Sequence, residues 1–230
     1  MIDFHNHIIP GIDDGSADAE TSIALINGLK NLGFTDFIFT PHIIADTHPN
    51  TPDTISNAFN VLDSALKNNN MNFPHSYAAE YMMDDMFHQK LKNKEKLLNL
   101  SDNKILVEFS YIQRPDHVEH ISFDMQIQGY EPILAHPERY VYYHNNWEHN
   151  YNHLKDLGFE LQLNLLSLTP YYGKDVQKIA HKMLKAGMFD FACTDIHHFR
   201  HLDALNSSFT KESLAELFDQ YHLRNNELQA

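Results

Sequence analysis

At 230 residues, 43% of them hydrophobic, the chain has apolar material for one sizeable core and is short for two. Its single cysteine excludes a disulfide scaffold and a multi-cysteine zinc module. With 17 Lys+Arg against 31 Asp+Glu, the formal charge of −14 has the wrong sign for a phosphate-backbone binder, so nucleic acid is not expected as a partner.

The opening MIDFHNH has no basic n-region and no apolar h-region, and no apolar run approaches a membrane span. The expectation is a cytoplasmic protein without membrane insertion, built as one domain over residues 1–230. Its 17 histidines are many for this length, so their positions must carry the argument.

A first strand is expected over 2–8, where Asp3, His5 and His7 alternate with Ile2, Phe4 and Ile8. Period two puts both histidines on one face. A helix follows, with Ser16 as N-cap, an apolar face of Leu25, Ile26, Leu29 and Leu32, and a stop at Gly33. The second strand, 36–40, leads into Pro41-His42, and 45–54 reads as a long loop. The third strand, 76–81, carries Glu80; the fourth, 105–109, carries Glu108 among apolar neighbours; the fifth, 132–136, ends in His136. The sixth, 160–165, offers Asn164, and the seventh, 189–195, ends in Asp195 two residues before His197. A last helix starts at Lys211, with Leu214, Leu217, Phe218 and Tyr221 facing inward.

One phrase recurs along this order: a periodic stretch, a glycine, an aromatic, then an apolar run. It appears at Gly33-Phe34, Gly129-Tyr130, Gly158-Phe159 and Gly187-Met188-Phe189. Glycine after a periodic stretch stops a helix, and an apolar run is a buried strand. Repeated βα units predict an α/β fold with a parallel sheet. Seven of them suggest a closed, incomplete barrel, with a doubly wound open sheet as the rival.

Each polar strand end has an ordinary reading: His42 in a loop, Glu80 solvated, His136 a satisfied core histidine. Glu108 resists it most, because a carboxylate among apolar residues must be paired, protonated or metal-bound. The joint pattern decides. Six of the seven strands end in His, Asp or Glu, and barrel strand ends converge on one mouth. His5, His7, His42, Glu80, Glu108, His136, Asp195 and His197 would share that mouth with an Asp of the Asp13-Asp14 pair. Carboxylates so gathered need cations between them, and the mixed ligands suit two or three ions.

The runs MIDFHNHIIPGIDDGS, FTPHI, AAEY, ILVEFSY, AHPERY and TDIHH resemble the PHP superfamily. Within it they resemble the bacterial CpsB/YwqE-type protein-tyrosine phosphatases, from residue 1 to about residue 200. The resemblance implies a distorted (β/α)7 TIM-like barrel with its metal site at the C-terminal strand ends. It implies a first ion on His5, His7, Glu80 and Asp195. A second, bridged by Glu80, would take Glu108 and His136, and a third would take His42, His197 and Asp14, with Asp13 as the alternative. Manganese is the ion implied first, with zinc, iron, magnesium or cobalt as alternatives.

Arg139 matches a family arginine that contacts phosphate, as suits a guanidinium fork. Its ordinary reading is a salt bridge to Glu138 or to a helix-start carboxylate. No role is carried over to Arg200. The implied reaction is phosphotyrosine hydrolysis by in-line attack of a metal-bridged hydroxide, with Arg139 as clamp and His42 as one candidate proton donor. The implied partner is a phosphotyrosine protein, a bacterial tyrosine kinase with a tyrosine-rich tail that controls capsule or exopolysaccharide export. Two rivals are a small-molecule phosphoesterase, such as a histidinol-phosphate phosphatase, and a non-catalytic metal-binding scaffold. A cysteine mechanism is set aside, because six residues separate Cys193 from Arg200 where C-x5-R needs five.

Overall fold

The computed structural model describes the backbone of all 230 residues and every side chain except that of Asp102. Short parallel strands occupy the seven predicted positions, the first confined to Ile2–Asp3 where 2–8 is expected. They are β1 (Ile2–Asp3), β2 (Asp36–Phe39), β3 (His42–Ile43), β4 (His75–Tyr77), β5 (Glu80–Met82), β6 (Lys104–Glu108), β7 (Glu131–Ala135), β8 (Glu160–Asn164) and β9 (Phe191–Cys193). The helices are α1 (Ala19–Asn31), α2 (Pro52–Asn68), α3 (Asp85–Lys92), α4 (Val118–Ile127), α5 (Trp147–Asp156), α6 (Lys174–Lys185), α7 (Phe199–Ser208) and α8 (Lys211–Gln220).

The second and third predicted strands are each broken in two, β2/β3 at Thr40-Pro41 and β4/β5 at Ala78-Ala79. The ladders therefore form a three-stranded sheet, β1-β2-β4, and a six-stranded one, β3-β5-β6-β7-β8-β9. Proline at 41 has no N–H to donate. Pairing resumes across the breaks through Ala78 N to Phe39 O (2.9 Å) and Glu80 N to Pro41 O (3.1 Å).

Among the described residues, no regular ladder closes the barrel. The first and last strand positions meet at one isolated parallel bridge, Asn6 to Ile196. Around it, Asp195 N donates to His5 O (2.8 Å) and His7 N to Ile196 O (2.9 Å). Side chains replace missing ladder bonds: Thr194 N donates to Asp3 Oδ1 (3.0 Å) and Asn6 N to Thr40 Oγ1 (3.2 Å). The architecture is a distorted (β/α)7 barrel, and the expectation of full closure is corrected to this side-chain seam.

Strand alternation divides the core. Ile2, Phe4, Ile38, Leu106, Ile133, Ala135, Phe191 and Cys193 fill the interior below the mouth. Ile105, Val107, Leu134, Leu161 and Leu163 face the surrounding helices, against residues such as Leu25, Leu29, Ile121 and Met183. The predicted helix stops at Gly33, Gly129, Gly158 and Gly187 all have positive φ, between 65° and 95°.

Two local boundaries differ from expectation. The N-cap of α1 is Asp18, whose side chain accepts from Thr21 N; Ser16 is buried, its N–H donating to His7 O (2.9 Å). The loop after the second strand ends early, because Thr51 caps α2 at Pro52 through a reciprocal bond pair with Thr54. The last helix starts at Lys211 as expected, with Leu214 and Phe218 buried and Leu217 and Tyr221 packed at its edge.

Candidate metal centre

All nine predicted ligands meet at the mouth formed by the C-terminal strand ends. Their donor atoms fall into overlapping groups: His5, His7 and Glu80; His5, His136 and Asp195; His42, Glu80 and Glu108; and His7, Asp14, His42 and His197. His5 and His7 flank the Asn6 bridge and project to one side, with Nε2 atoms 3.4 Å apart. Glu80, the hub, is wholly buried. Its Oε1 lies 3.2 Å from His5 Nε2 and 3.3 Å from His136 Nε2, and its Oε2 lies 2.9 Å from His42 Nδ1. His42 Nδ1 is also 3.1 Å from Glu108 Oε1.

These groups fit divalent cations. Both Glu80 oxygens, Glu108 Oε1 and His42 Nδ1 are buried without a hydrogen-bond partner. Buried polar atoms are normally satisfied, so lone pairs converging on one another point to ions between them.

Three imidazoles are fixed from behind. His5 Nδ1–H donates to Gln162 Oε1 (2.7 Å), and Gln162 is held in that orientation by its own Nε2 bond to Leu163 O. His7 Nδ1–H donates to Asp13 Oδ2 (2.8 Å), and His197 Nδ1–H to Asp195 O (2.9 Å). Each leaves Nε2 as the free lone pair, the usual arrangement of a ligating histidine. Asp195 is held likewise. Its Oδ2 accepts from Asn164 Nδ2 and Arg139 Nη1, both at 2.9 Å, while Oδ1 lies 3.3 Å from His5 Nε2 and from His7 Nε2.

The Asp13/Asp14 alternative separates by geometry. Asp13 is spent on positioning: it accepts from His7 Nδ1, from Gly15 N (3.0 Å) and from His42 N (3.1 Å). Asp14 is 58% exposed, with Oδ1 3.6 Å from His42 Nε2 and 3.5 Å from His197 Nε2. The loop carrying both packs tightly on His7; a Cβ on Gly15 would sit 1.9 Å from His7 O. Asp13→Asn should weaken metal affinity about 10–100-fold by releasing His7. Asp14→Asn should reduce the number of ions bound while sparing the inner groups, and metal titration followed by elemental analysis separates the two.

Two of the nine have left-handed backbones, His136 at φ +35° and Asp195 at φ +49°. Such backbones cost of order 1 kcal/mol each in non-glycine residues and gather where side chains must be aimed.

The electrostatics express the crowding. Burial alone would raise Glu80 and Asp195, but the imidazoles of His5 and His42, and of His5 and His197, hold them well below the usual carboxylate range. Burial lowers His42, yet Glu80 and Glu108 carry it up to about 10. His197 falls to about 3 through burial and the neighbouring His7.

Over the centre lies a cavity of about 250 Å³, lined by six of the nine ligands together with Tyr111, Arg139, Tyr172, His198 and His201. The Arg139 guanidinium stacks between Tyr172 (4.1 Å) and Tyr111 (4.7 Å). Its partner is Asp195, so the ordinary reading of a Glu138 salt bridge does not hold. Glu138 is buried instead, accepting from Asn164 N (3.0 Å), and burial pushes it up to about 7. Sequence reasoning missed Gln162 and Tyr172, gave no role to Tyr111 or His201, and mentioned Asn164 only as a strand end. Gln162 and Asn164 left a signal, as two amides at alternate positions of an apolar strand. Cys193 lies in the barrel interior, 3.6 Å from Asn225 Nδ2, and burial raises its thiol. Cys193→Ser should keep activity within about twofold, since the site is apolar packing plus one amide donor that a hydroxyl can accept; a steady-state assay checks it.

A distorted (β/α)7 barrel with a multidentate His/Asp/Glu centre at its strand ends defines the chain as a barrel protein built to hold divalent metal. It belongs to the capsular polysaccharide synthesis CpsB/CapC family, whose sequence model matches residues 1–205. It is 31% identical over 201 residues to the tyrosine-protein phosphatase YwqE of Bacillus subtilis (strain 168), covering 87% of this chain and 78% of that protein. It is 28% identical over 207 residues to the putative tyrosine-protein phosphatase CapC of Staphylococcus aureus, covering 86% and 77%. The fold matches a crystal structure from work on YwqE and on CpsB of Streptococcus pneumoniae, described as metal-dependent tyrosine phosphatases. The TM-score is 0.80 at 28% identity, over 97% of this chain and 93% of that one.

Proposed function

We propose that this chain is a metal-dependent protein-tyrosine phosphatase, acting as one domain over residues 1–230. The observation that carries the reading is the convergence of unpartnered carboxylate oxygens of Glu80 and Glu108 beneath a cavity walled by Arg139. The family and its named phosphatases support the same reading.

His5, His7, His42, Glu80, Glu108, His136, Asp195, His197 and Asp14 would hold two or three ions, manganese first among the candidates. Divalent ions, when bound, supply charge for the phosphoryl oxygens and lower the pKa of a coordinated water. The chain itself does the rest. Arg139 presents its fork to the phosphoryl oxygens, with Tyr111 and Tyr172 keeping the guanidinium planar to the cavity wall. Asp13, Gln162 and Asn164 keep ligand lone pairs aimed, so reorganisation during the reaction is small. His42, at the rim of the centre, is one candidate donor of a proton to the departing phenol oxygen, through whichever ring nitrogen it does not give to an ion. A phenol, with a pKa near 10, leaves more readily than an alkoxide and asks less of that donor.

The favoured substrate is a phosphotyrosine protein, with a bacterial tyrosine kinase of capsule export as the partner and the cytoplasm as the site of action. No helix among the described residues is long and apolar enough to cross a membrane.

The test is an assay on a phosphotyrosine peptide and on histidinol phosphate, with added Mn²⁺ or with chelator, beside His136→Ala. Expected is peptide turnover that chelation and His136→Ala each cut by about 10²-fold or more. Preference for histidinol phosphate, or turnover indifferent to chelator, would overturn the reading.

A further inference from the structure

A second cavity, of about 500 Å³, lies beside the first and is twice its size. One short segment forms the wall between them: Tyr111 lines the first, while Ser110 and Ile112 on either side of it line the second. The floor of the second cavity is apolar, from Met82, Met83 and Ile121, and Ile112 stands at its edge 90% exposed. A large aliphatic side chain so exposed beside an apolar hollow is uncommon on a surface that only faces water.

The carboxylates of Asp84, Asp85 and Asp116 line this hollow beside the imidazoles of His88 and His117, and among the described residues no Lys or Arg lines it. Asp84 is occupied, accepting from Phe87 N (2.8 Å) and Ala45 N (3.3 Å). Asp85 and Asp116 are exposed, and neither forms a salt bridge among the described residues. The nearest cation in the segment, Arg114, is turned away onto Glu119.

We propose that the second cavity is a substrate-recognition subsite. It takes the polypeptide flanking the phosphotyrosine, and it favours an aliphatic side chain accompanied by a Lys or Arg. The inference rests on the phosphatase reading and adds sequence preference to it. Three observations point to this occupant. The two cavities share a wall, and an extended chain advances only ~3.3 Å per residue, so a ring held in the first leaves its near neighbours over the second. The methionine floor adapts to different aliphatic side chains. The two unpaired carboxylates complement a cation.

The experiment uses the metal-loaded full chain and two sets of phosphotyrosine peptides, carrying Leu-Lys or Leu-Glu within four residues of the phosphotyrosine. p-Nitrophenyl phosphate, which has no flanking residues, is the control. The wild type should prefer the Lys peptides about tenfold in kcat/KM, as two weak surface charge contacts allow. In Asp85→Asn/Asp116→Asn the preference should shrink to about twofold or less by the same arithmetic, while p-nitrophenyl phosphate turnover is unchanged. Ile112→Ala should lower kcat/KM for both peptide sets without touching the control. Equal turnover of Lys and Glu peptides by the wild type overturns the proposal, as does a parallel loss on p-nitrophenyl phosphate. If no phosphate ester is hydrolysed, the phosphatase reading has failed instead. The subsite is then judged by fluorescence anisotropy of the same labelled peptides, where Lys-over-Glu discrimination lost in the double variant supports it and equal binding overturns it.

Discussion

Glu80→Gln should lower kcat/KM on a phosphotyrosine peptide by about 10³-fold or more. Glu80 is wholly buried, and its two oxygens face His5, His7, His42 and His136 at 2.9–3.4 Å without accepting a hydrogen bond. The amide has the same shape but no charge, and it turns one acceptor into a donor, aimed at imidazole nitrogens that must also face the ions. Two of the four ligand groups contain Glu80, so both should lose affinity together. Elemental analysis after gel filtration should show fewer bound ions per chain. Glu80→Asp, which keeps the charge on a shorter arm, should regain part of the metal but little of the rate. A Glu80→Gln protein with wild-type metal content and turnover would falsify the assignment.

Arg139→Ala should cost about 10²–10³-fold in kcat/KM, the usual loss when one donor to a developing oxyanion is removed. The Arg139 side chain is 20% exposed, and its guanidinium is held in place by two tyrosine rings and by Asp195, which leaves other N–H groups of its fork for phosphate. The contact to Asp195 raises a competing explanation, that the arginine merely braces a ligand. Metal content separates the two. Asp195 Oδ2 keeps its bond from Asn164 Nδ2 at 2.9 Å without the arginine, so ion occupancy should stay near wild type. Arg139→Lys should recover only part of the loss, because an ammonium lacks the planar fork and stacks poorly on tyrosine. Loss of metal in parallel with rate would reduce Arg139 to a bracing role.

Much of this centre was legible in the linear chain. Period-two spacing put His5 and His7 on one side. A carboxylate at Glu108 inside ILVEF could not be ordinary packing. Glycine stops at 33, 129, 158 and 187 marked the helix-to-strand turns ahead of β2, β7, β8 and β9. Each of these signals lies within a few residues of its cause, and local periodicity, charge and backbone freedom are properties of neighbours in sequence.

The tertiary structure decided the rest, because the rest depends on partners far apart along the chain. Gln162 holds His5 from 157 residues away, and Arg139 and Asn164 reach Asp195 across 56 and 31. No local pattern separates Asp13 from Asp14; only the packing of their loop on His7 gives one carboxylate three N–H donors and leaves the other at the mouth. Closure of the barrel was likewise a matter of contact. The side chains of Asp3 and Thr40 supply bonds that a continuous ladder would have supplied, and that is why the first and last strands meet as a seam. Sequence determined which groups arrive at the mouth, and three-dimensional packing determined which of them face the ions, which brace them, and which line the path to them.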